Sequence, residues 1–114
     1  MKRYWLVIAP CALAACIAGC SEPAPKIGRD LPSLIADAKP AFDRQVKNRF
    51  PIGSEERLLL NELRIEGFTI TSTNPATAAF TARQLTCNLH YSIQWSADNK
   101  MITSIAGDYA ASCL

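Results

Sequence analysis

One stretch near the C-terminus constrains the fold more than any other, because its side chains alternate between polar and apolar. It reads TCNLHYSIQW from Thr86 to Trp95. A period of two is typical of a strand with one face buried and the other in water. Met101–Tyr109 is expected to return as the antiparallel partner after a loop at Ser96–Lys100. We therefore predict a β-hairpin.

A further strand is predicted before the hairpin. Phe68–Thr73 reads FTITST, and its threonines favour a strand because β-branched residues fit a pleated surface. Asn74 and Pro75 end this strand. The segment Thr77–Arg83 is ambiguous between an irregular connection and a short strand, so the prediction is a three-stranded antiparallel β-meander.

A helix is predicted in the N-terminal half. Apolar residues recur at steps of three and four from Leu31 to Phe50, which is typical of one face of a helix. Asp30 can cap the start of this helix, and Pro40 inside it predicts a kink or a break.

A second, short helix is predicted over Glu55–Glu66. Ser54 is a suitable N-cap, and Gly67 stands where a left-handed C-cap belongs. Helices followed by a meander predict an α+β fold, in which residues 31–114 form one small domain with the N-terminal helices packed on the sheet in two layers.

The first residues have the pattern of an export signal. Two cations, Lys2 and Arg3, precede an uncharged run from Tyr4 to Cys20, which is typical of a secretory signal peptide over residues 1–19. The run is a little short for a membrane-spanning helix and contains Pro10, so an uncleaved anchor is the less favoured alternative.

The end of this run, Ile17-Ala18-Gly19-Cys20, resembles the lipobox of bacterial lipoproteins. The resemblance implies that the Cys20 thiol receives a diacylglycerol, that the chain is cut just before Cys20, and that the new amine is acylated. Leu13-Ala14-Ala15-Cys16 fits the same pattern, but Cys20 is favoured because polar Ser21 and Glu22 follow it. Ordinary cleavage, which would release a soluble protein, is a further alternative.

The lipoprotein resemblance also implies a location. Ser21, rather than aspartate, follows the lipidated cysteine, so we expect the inner leaflet of the outer membrane, with the domain facing the periplasm. Residues 20–30 include two prolines and one glycine and are predicted to form a flexible tether. The expected partners are the membrane, through the N-terminal lipid, and an envelope protein.

The charge balance lacks the large excess of positive charge that is typical of nucleic-acid-binding proteins. The chain has 12 Lys and Arg against 10 Asp and Glu, and Lys2 and Arg3 belong to the predicted signal peptide. No Gly-rich phosphate loop, GxSxG or HExxH motif occurs in the sequence. We therefore expect no nucleic-acid partner, no small-molecule substrate, no cofactor, no metal and no enzymatic activity.

Cys87 and Cys113 remain after signal cleavage and are predicted to form a disulfide, because an even pair in an oxidising compartment is usually bridged. Closing a loop of this length contributes about 3.5 kcal/mol in the chain-entropy model. Zinc is disfavoured, since His90 adds only a third ligand and the chain has no CxxC motif.

The predicted register of the hairpin does not bring these two cysteines opposite each other. If Trp95 faces Met101, alternation brings Cys87 opposite Tyr109. Cys113 lies beyond Tyr109, so the last residues are expected to turn back to reach Cys87.

The remaining candidates for chemistry have simpler explanations. His90 would need an orienting carboxylate and a nucleophile to act as a general base, and no motif supplies them, so we interpret it as an exposed strand residue. Glu62 and Glu66 are four residues apart on the second helix, where helix solubility explains them better than a pair of catalytic acids.

The stretch FPIGSEERLLLNELRIEGF, followed by strands, resembles the small outer-membrane lipoproteins of the SmpA/OmlA type. The shared features are a Gly-Ser helix start, a short amphipathic helix and a hairpin with an Asp98-Asn99 turn, which together cover Gly53–Tyr109. The resemblance implies the β-lactamase-inhibitor-like fold of that family and a role in the machinery that assembles outer-membrane proteins. It implies no site residue.

Two functions from different classes follow from these expectations. The first is a lipid-anchored, non-enzymatic binding or assembly module of the cell envelope. It would bind through a helix face or by adding a strand at a sheet edge, either Phe68–Ser72 or Met101–Tyr109. The second, an inhibitor-like binder of a periplasmic hydrolase, rests on fold analogy alone.

Overall fold

The computed structural model describes residues 23–114, so the predicted signal peptide and the candidate lipidation sites Cys16 and Cys20 lie outside the described residues. The described chain is an α+β fold of two helices and an open, four-stranded antiparallel sheet. The helices are α1 (Ile35–Arg49) and α2 (Glu56–Ile65), and the strands are β1 (Thr69–Thr73), β2 (Ala76–Arg83), β3 (Cys87–Asp98) and β4 (Met101–Cys113). The strands are ordered β1-β2-β3-β4, as in a simple meander.

The predicted three-stranded meander is wrong by one strand. Ala76–Arg83, much of which the sequence left ambiguous, pairs with β3 along its whole length and with β1 on its other side. Its core-facing side chains include Ala78 and Ala82, both 0% exposed. Alanine has little preference for strands, so pairing with a strand on each side overrides the weak local signal.

The register of the β3–β4 hairpin also differs from the predicted one. The turn consists only of Asn99 and Lys100, whose φ angles of 53° and 69° are typical of a type I′ turn. The shorter turn lengthens both strands and, together with a register shift between Ser96 and Ala97, brings Trp95 opposite Ile105. The predicted pairing of Trp95 with Met101 is therefore wrong.

Helix α1 begins later than predicted and is not broken. Asp30 does not cap it but has a left-handed φ of 62°, and the helix begins at Ile35 with no side-chain cap at Leu34. Pro40 lies inside the helix, which continues without interruption to Arg49.

Helix α2 agrees with the prediction within one residue at each end. At its C-terminus Gly67 has a φ of 98°, and the N–H of Phe68 donates to the carbonyl of Leu63, as in a Schellman cap. The predicted N-cap is wrong, because the Ser54 hydroxyl donates to the carbonyl of Pro51 instead of accepting a hydrogen bond from a helix N–H, and the N-cap is Glu55.

Both helices pack on one face of the sheet. The apolar face predicted for β3 is buried there: Tyr91, Ile93 and Trp95 are at most 3% exposed, and Leu89 is half-buried. The helices supply the facing layer of fully buried side chains, which are Ala38, Phe42, Val46, Leu59 and Leu63.

Helix α1 approaches the sheet very closely at Gly107 on β4. A Cβ atom at this position would lie 2.7 Å from Val46 Cγ2 and 3.1 Å from two ring carbons of Phe42. The carboxylate of Asp43 accepts a hydrogen bond from the Gly107 N–H at 2.9 Å. The helix therefore rests directly on the strand backbone, which a side chain at residue 107 would prevent.

Part of the predicted tether belongs to the packed domain. Lys26–Gly28 forms a short 3-10 turn, and Ile27 is 3% exposed in the core. The Ile27 N–H donates to the Glu66 carboxylate at 2.8 Å, and the Gln45 side chain donates to the Arg29 carbonyl. The packed domain thus begins before the predicted boundary at residue 31.

Candidate functional site

The two edges of the sheet differ in how their backbone groups are satisfied. On β4, the Ile102 N–H donates to the Ser54 carbonyl, and the Ile102 carbonyl accepts the Gly53 N–H, both at 2.8 Å. Farther along the same edge, the Gly107 N–H donates to Asp43. Helix α1 and the segment before α2 therefore satisfy outward backbone groups of β4 at Ile102 and at Gly107.

Asp43 is kept ionised by the contacts that cover this edge. Burial alone would raise the pKa of its carboxyl group. Hydrogen bonds from Lys47 and from the Gly107 N–H, with the positive charges of Lys47 and Arg44, outweigh burial and lower the pKa. A charged acceptor makes the hydrogen bond to Gly107 stronger than a neutral one would be.

The edge on β1 is uncovered. Within residues 23–114, no backbone hydrogen bond joins β1 to any element other than β2. Residues of an antiparallel strand alternate in the direction of their backbone groups. The hydrogen bond from Leu114 N–H to the Thr86 carbonyl fixes this alternation across β3 and β2. Thr69 consequently faces β2, and Ile70 turns its N–H and C=O outward.

The side chains of β1 leave room for a further strand. Thr69, Thr71 and Thr73 are exposed, while Ile70 is half-buried against the core. The strand carries neither a charge nor a proline, which are common devices that protect natural edges, although its pairing is irregular between Ile70 and Ser72. An extended segment of a partner can therefore pair here over a few residues.

Two segments were predicted as the sheet edge that could bind a partner strand, Phe68–Ser72 and Met101–Tyr109. In the structure both segments lie on edge strands. In the second, contacts from Gly53, Ser54 and Asp43 occupy the backbone groups of Ile102 and the N–H of Gly107. Contacts with residues this far away in the chain leave no signal in the local pattern of β4, so sequence reasoning could not choose between the edges.

A row of hydrogen-bonded side chains crosses the polar outer face of the sheet. His90 Nε2 lies 3.0 Å from Ser112 Oγ, and His90 Nδ1 lies 3.3 Å from Thr81 Oγ1. Sequence reasoning missed both partners, because only the register of β2, β3 and β4 brings them together. The partner of Nδ1 is a hydroxyl group, whereas hydrolytic triads use a carboxylate to orient the histidine. We therefore interpret the row as a structural link between β2, β3 and β4.

Cys87 and Cys113 form the predicted disulfide and lie directly opposite each other on β3 and β4. Their Cα atoms are 4.0 Å apart, and the alternation of the hairpin makes them a non-hydrogen-bonded pair, the closer of the two kinds. The predicted fold-back of the last residues is unnecessary, since strand β4 itself carries Cys113 to its partner. In the part of the chain that the structure describes, no group of three or more His, Cys, Asp and Glu side chains is placed to hold a metal ion.

No protein-family model matches the chain, and neither a curated protein nor a solved structure is significantly similar to it. The resemblance of Phe50–Phe68 to SmpA/OmlA-type lipoproteins stays a prediction. None of the described helices is long and apolar enough to cross a membrane.

Proposed function

We propose that the protein is a lipid-anchored, non-enzymatic binding or assembly module of the bacterial cell envelope. Its lipid is attached at Cys20, and its domain faces the periplasm from the outer membrane. It binds an envelope protein by pairing a strand of that protein with β1. The observation that carries this proposal is the contrast between the uncovered β1 edge and the partly covered β4 edge.

Two features support an envelope location. The uncharged run that ends in Ile17-Ala18-Gly19-Cys20 follows two cations, as in lipoprotein signals. Cys87 and Cys113 are joined by a disulfide, and such bonds persist in oxidising compartments such as the bacterial periplasm.

The geometry of β1 predicts a weak, specific contact. Each backbone hydrogen bond contributes roughly 0.5–1.5 kcal/mol net, and the outward groups of a five-residue strand can form only a few of them. Anchoring both proteins to one membrane raises their effective concentration, which turns a weak contact into a stable association. The lipid and the edge therefore serve the same function.

Lipidation is tested by mass spectrometry of the mature N-terminus. We expect an acylated Cys20 as the first residue, and we expect Cys20→Ala to release the domain from membranes or to block processing. A mature chain that begins elsewhere, or an unmodified Cys20, would contradict the proposal.

Binding at β1 is tested with two substitutions at Ile70. Proline removes the outward N–H, whereas valine keeps that N–H and a branched side chain. In co-purifications from detergent-solubilised envelopes, wild type and Ile70→Val should retain the same membrane protein, and Ile70→Pro should lose it while remaining folded.

Equal retention by both Ile70 variants would show that β1 is not the binding site. A helix face would then be the next surface to test, through charge reversal at Arg44 or Lys47. A stable complex with a soluble hydrolase, in place of a membrane protein, would favour the inhibitor-like function.

A further inference from the structure

Little chain separates the proposed lipid from the packed domain. Ala24 already packs against the core, and Ile27 is 3% exposed. Ala24 is only four positions after Cys20, and an extended chain spans at most about 3.6 Å per residue, or roughly 14 Å here. With Cys20 at the bilayer, the surface around Ala24 is therefore held at the level of the lipid headgroups.

The entry segment, residues 24–29, lies in the helical layer. The Ile27 N–H donates to Glu66 at the end of α2. Gly28 packs on the inner face of the sheet, where a Cβ atom would lie 2.6 Å from the ring of Tyr91. The chain consequently enters the domain on the side opposite to the polar outer face of the sheet.

Helix α2 exposes two large apolar side chains beside this entry. Ile65 is 81% exposed and Leu58 is 51% exposed. Both share a helix face with Glu62 through spacings of three and four residues, and Glu62 accepts a hydrogen bond from Arg49 on α1. The apolar pair therefore lies next to the contact between α1 and α2. Glu66, which binds the entry segment, lies at the end of that contact.

The entry segment adds cations to this surface. Lys26 and Arg29 are both exposed. Apolar side chains together with Lys and Arg are typical of surfaces that lie in the headgroup region of a bilayer, where the cations attract anionic lipids. The outer face of the sheet instead exposes small polar side chains such as Thr81 and Ser112.

We propose that the helical layer of the domain lies against the bilayer, with Ile65 and Leu58 at headgroup depth, and that the outer face of the sheet points into the periplasm. This orientation rests on the proposed lipidation at Cys20. It leaves the β1 edge at the flank of the domain, accessible to a partner in the same membrane.

The test is depth-dependent fluorescence quenching of the full, lipidated protein. The protein is reconstituted in vesicles of phosphatidylethanolamine and phosphatidylglycerol, some of whose acyl chains are brominated near the headgroup. Ile65→Trp reports on the helical layer, and Thr81→Trp on the outer face is the matched control. The native Trp95 is 2% exposed between the layers, and wild type supplies its background.

We expect the brominated lipid to remove about half of the fluorescence of the indole introduced by Ile65→Trp, since that indole would lie at the interface. The indole introduced by Thr81→Trp should be unaffected. Equal quenching at the two positions, or stronger quenching at Thr81→Trp, overturns the orientation. Mass spectrometry of the same sample separates the two proposals: an unlipidated Cys20 overturns both, whereas a lipidated Cys20 with an unquenched Ile65→Trp overturns the orientation alone.

Discussion

Replacing Gly107 with alanine should destabilise the domain by pushing α1 away from β4. The new Cβ would lie 2.7 Å from Val46 Cγ2 and 3.1 Å from the ring of Phe42. Both of these side chains are 0% exposed, so neither can relieve the clash by moving into solvent. The hydrogen bond from the Gly107 N–H to Asp43 holds the helix at the same point and opposes a shift of the helix as a whole.

The expected cost is the balance of two opposing effects. Overpacking a close-packed core costs about 1–3 kcal/mol. Alanine in a strand recovers about 0.5–1 kcal/mol relative to glycine, because it restricts the unfolded chain. The clash outweighs this gain, so Gly107→Ala should lower the free energy of unfolding by about 1–2 kcal/mol. Urea denaturation of the disulfide-bonded protein, followed by circular dichroism, measures this change.

A double-mutant cycle with Val46→Ala identifies the cause. Val46→Ala alone removes two buried methyl groups and should cost about 2–3 kcal/mol. In the double variant the smaller side chain makes room for the new Cβ, so the total cost should fall short of the sum by about 1 kcal/mol. Ser104→Ala, at an exposed position of the same strand, is the control and should change stability by less than about 0.5 kcal/mol. Additive costs would refute the reasoning, because they would show that residue 107 does not set the distance of α1 from the sheet.

Two further predictions concern charge and covalent bonding. The pKa of Asp43 is lowered in the folded protein, so its stabilising effect is present above the unfolded value of about 3.9 and is lost as the pH falls through the folded pKa; the stability difference between the protein and Asp43→Asn should shrink in acid, and a difference that does not depend on pH would contradict this. Cys113→Ser removes the bridge to Cys87 and should lower the free energy of unfolding by about 2–5 kcal/mol. Ser104→Ala on the same strand is the control and should not, and equal melting of the two variants would show that the bridge adds little.

The elements that the sequence predicted well carry their signal in neighbouring residues. The alternation around Tyr91 and Ile93 is a local pattern, and so is Gly67 after an amphipathic helix, because only a residue that tolerates a positive φ suits that position. The disulfide was predicted from the even number of cysteines and the expected oxidising compartment, and in the structure Cys87 and Cys113 are bridged. None of these inferences required knowledge of which strands are neighbours.

The elements that sequence reasoning missed depend on contacts between residues far apart in the chain. Strand β2 turns alanines such as Ala78 toward the core, and its identity as a strand comes from β1 and β3 on either side. The length of the hairpin turn was overestimated because four of the five residues from Ser96 to Lys100 are polar. A positive φ at Lys100 has no signal comparable to the Asn-Gly pair that usually marks a type I′ turn.

The covering of one edge also limits what the sheet can assemble into. A small sheet with two open edges can add strands on both sides, and such head-to-tail contacts lead to open-ended aggregates. Here Gly53 and Ser54 occupy the backbone groups of Ile102, and Asp43 occupies the N–H of Gly107. These contacts on β4 favour the proposed strand addition at β1. Strand addition at β1 alone would give only closed products, which are a complex with one partner strand or a two-fold pair of β1 strands. Because the exposed side chains of β1 are threonines that provide no large apolar contact between two copies, a partner strand with apolar side chains facing Ile70 would bind in preference to a second copy of the chain.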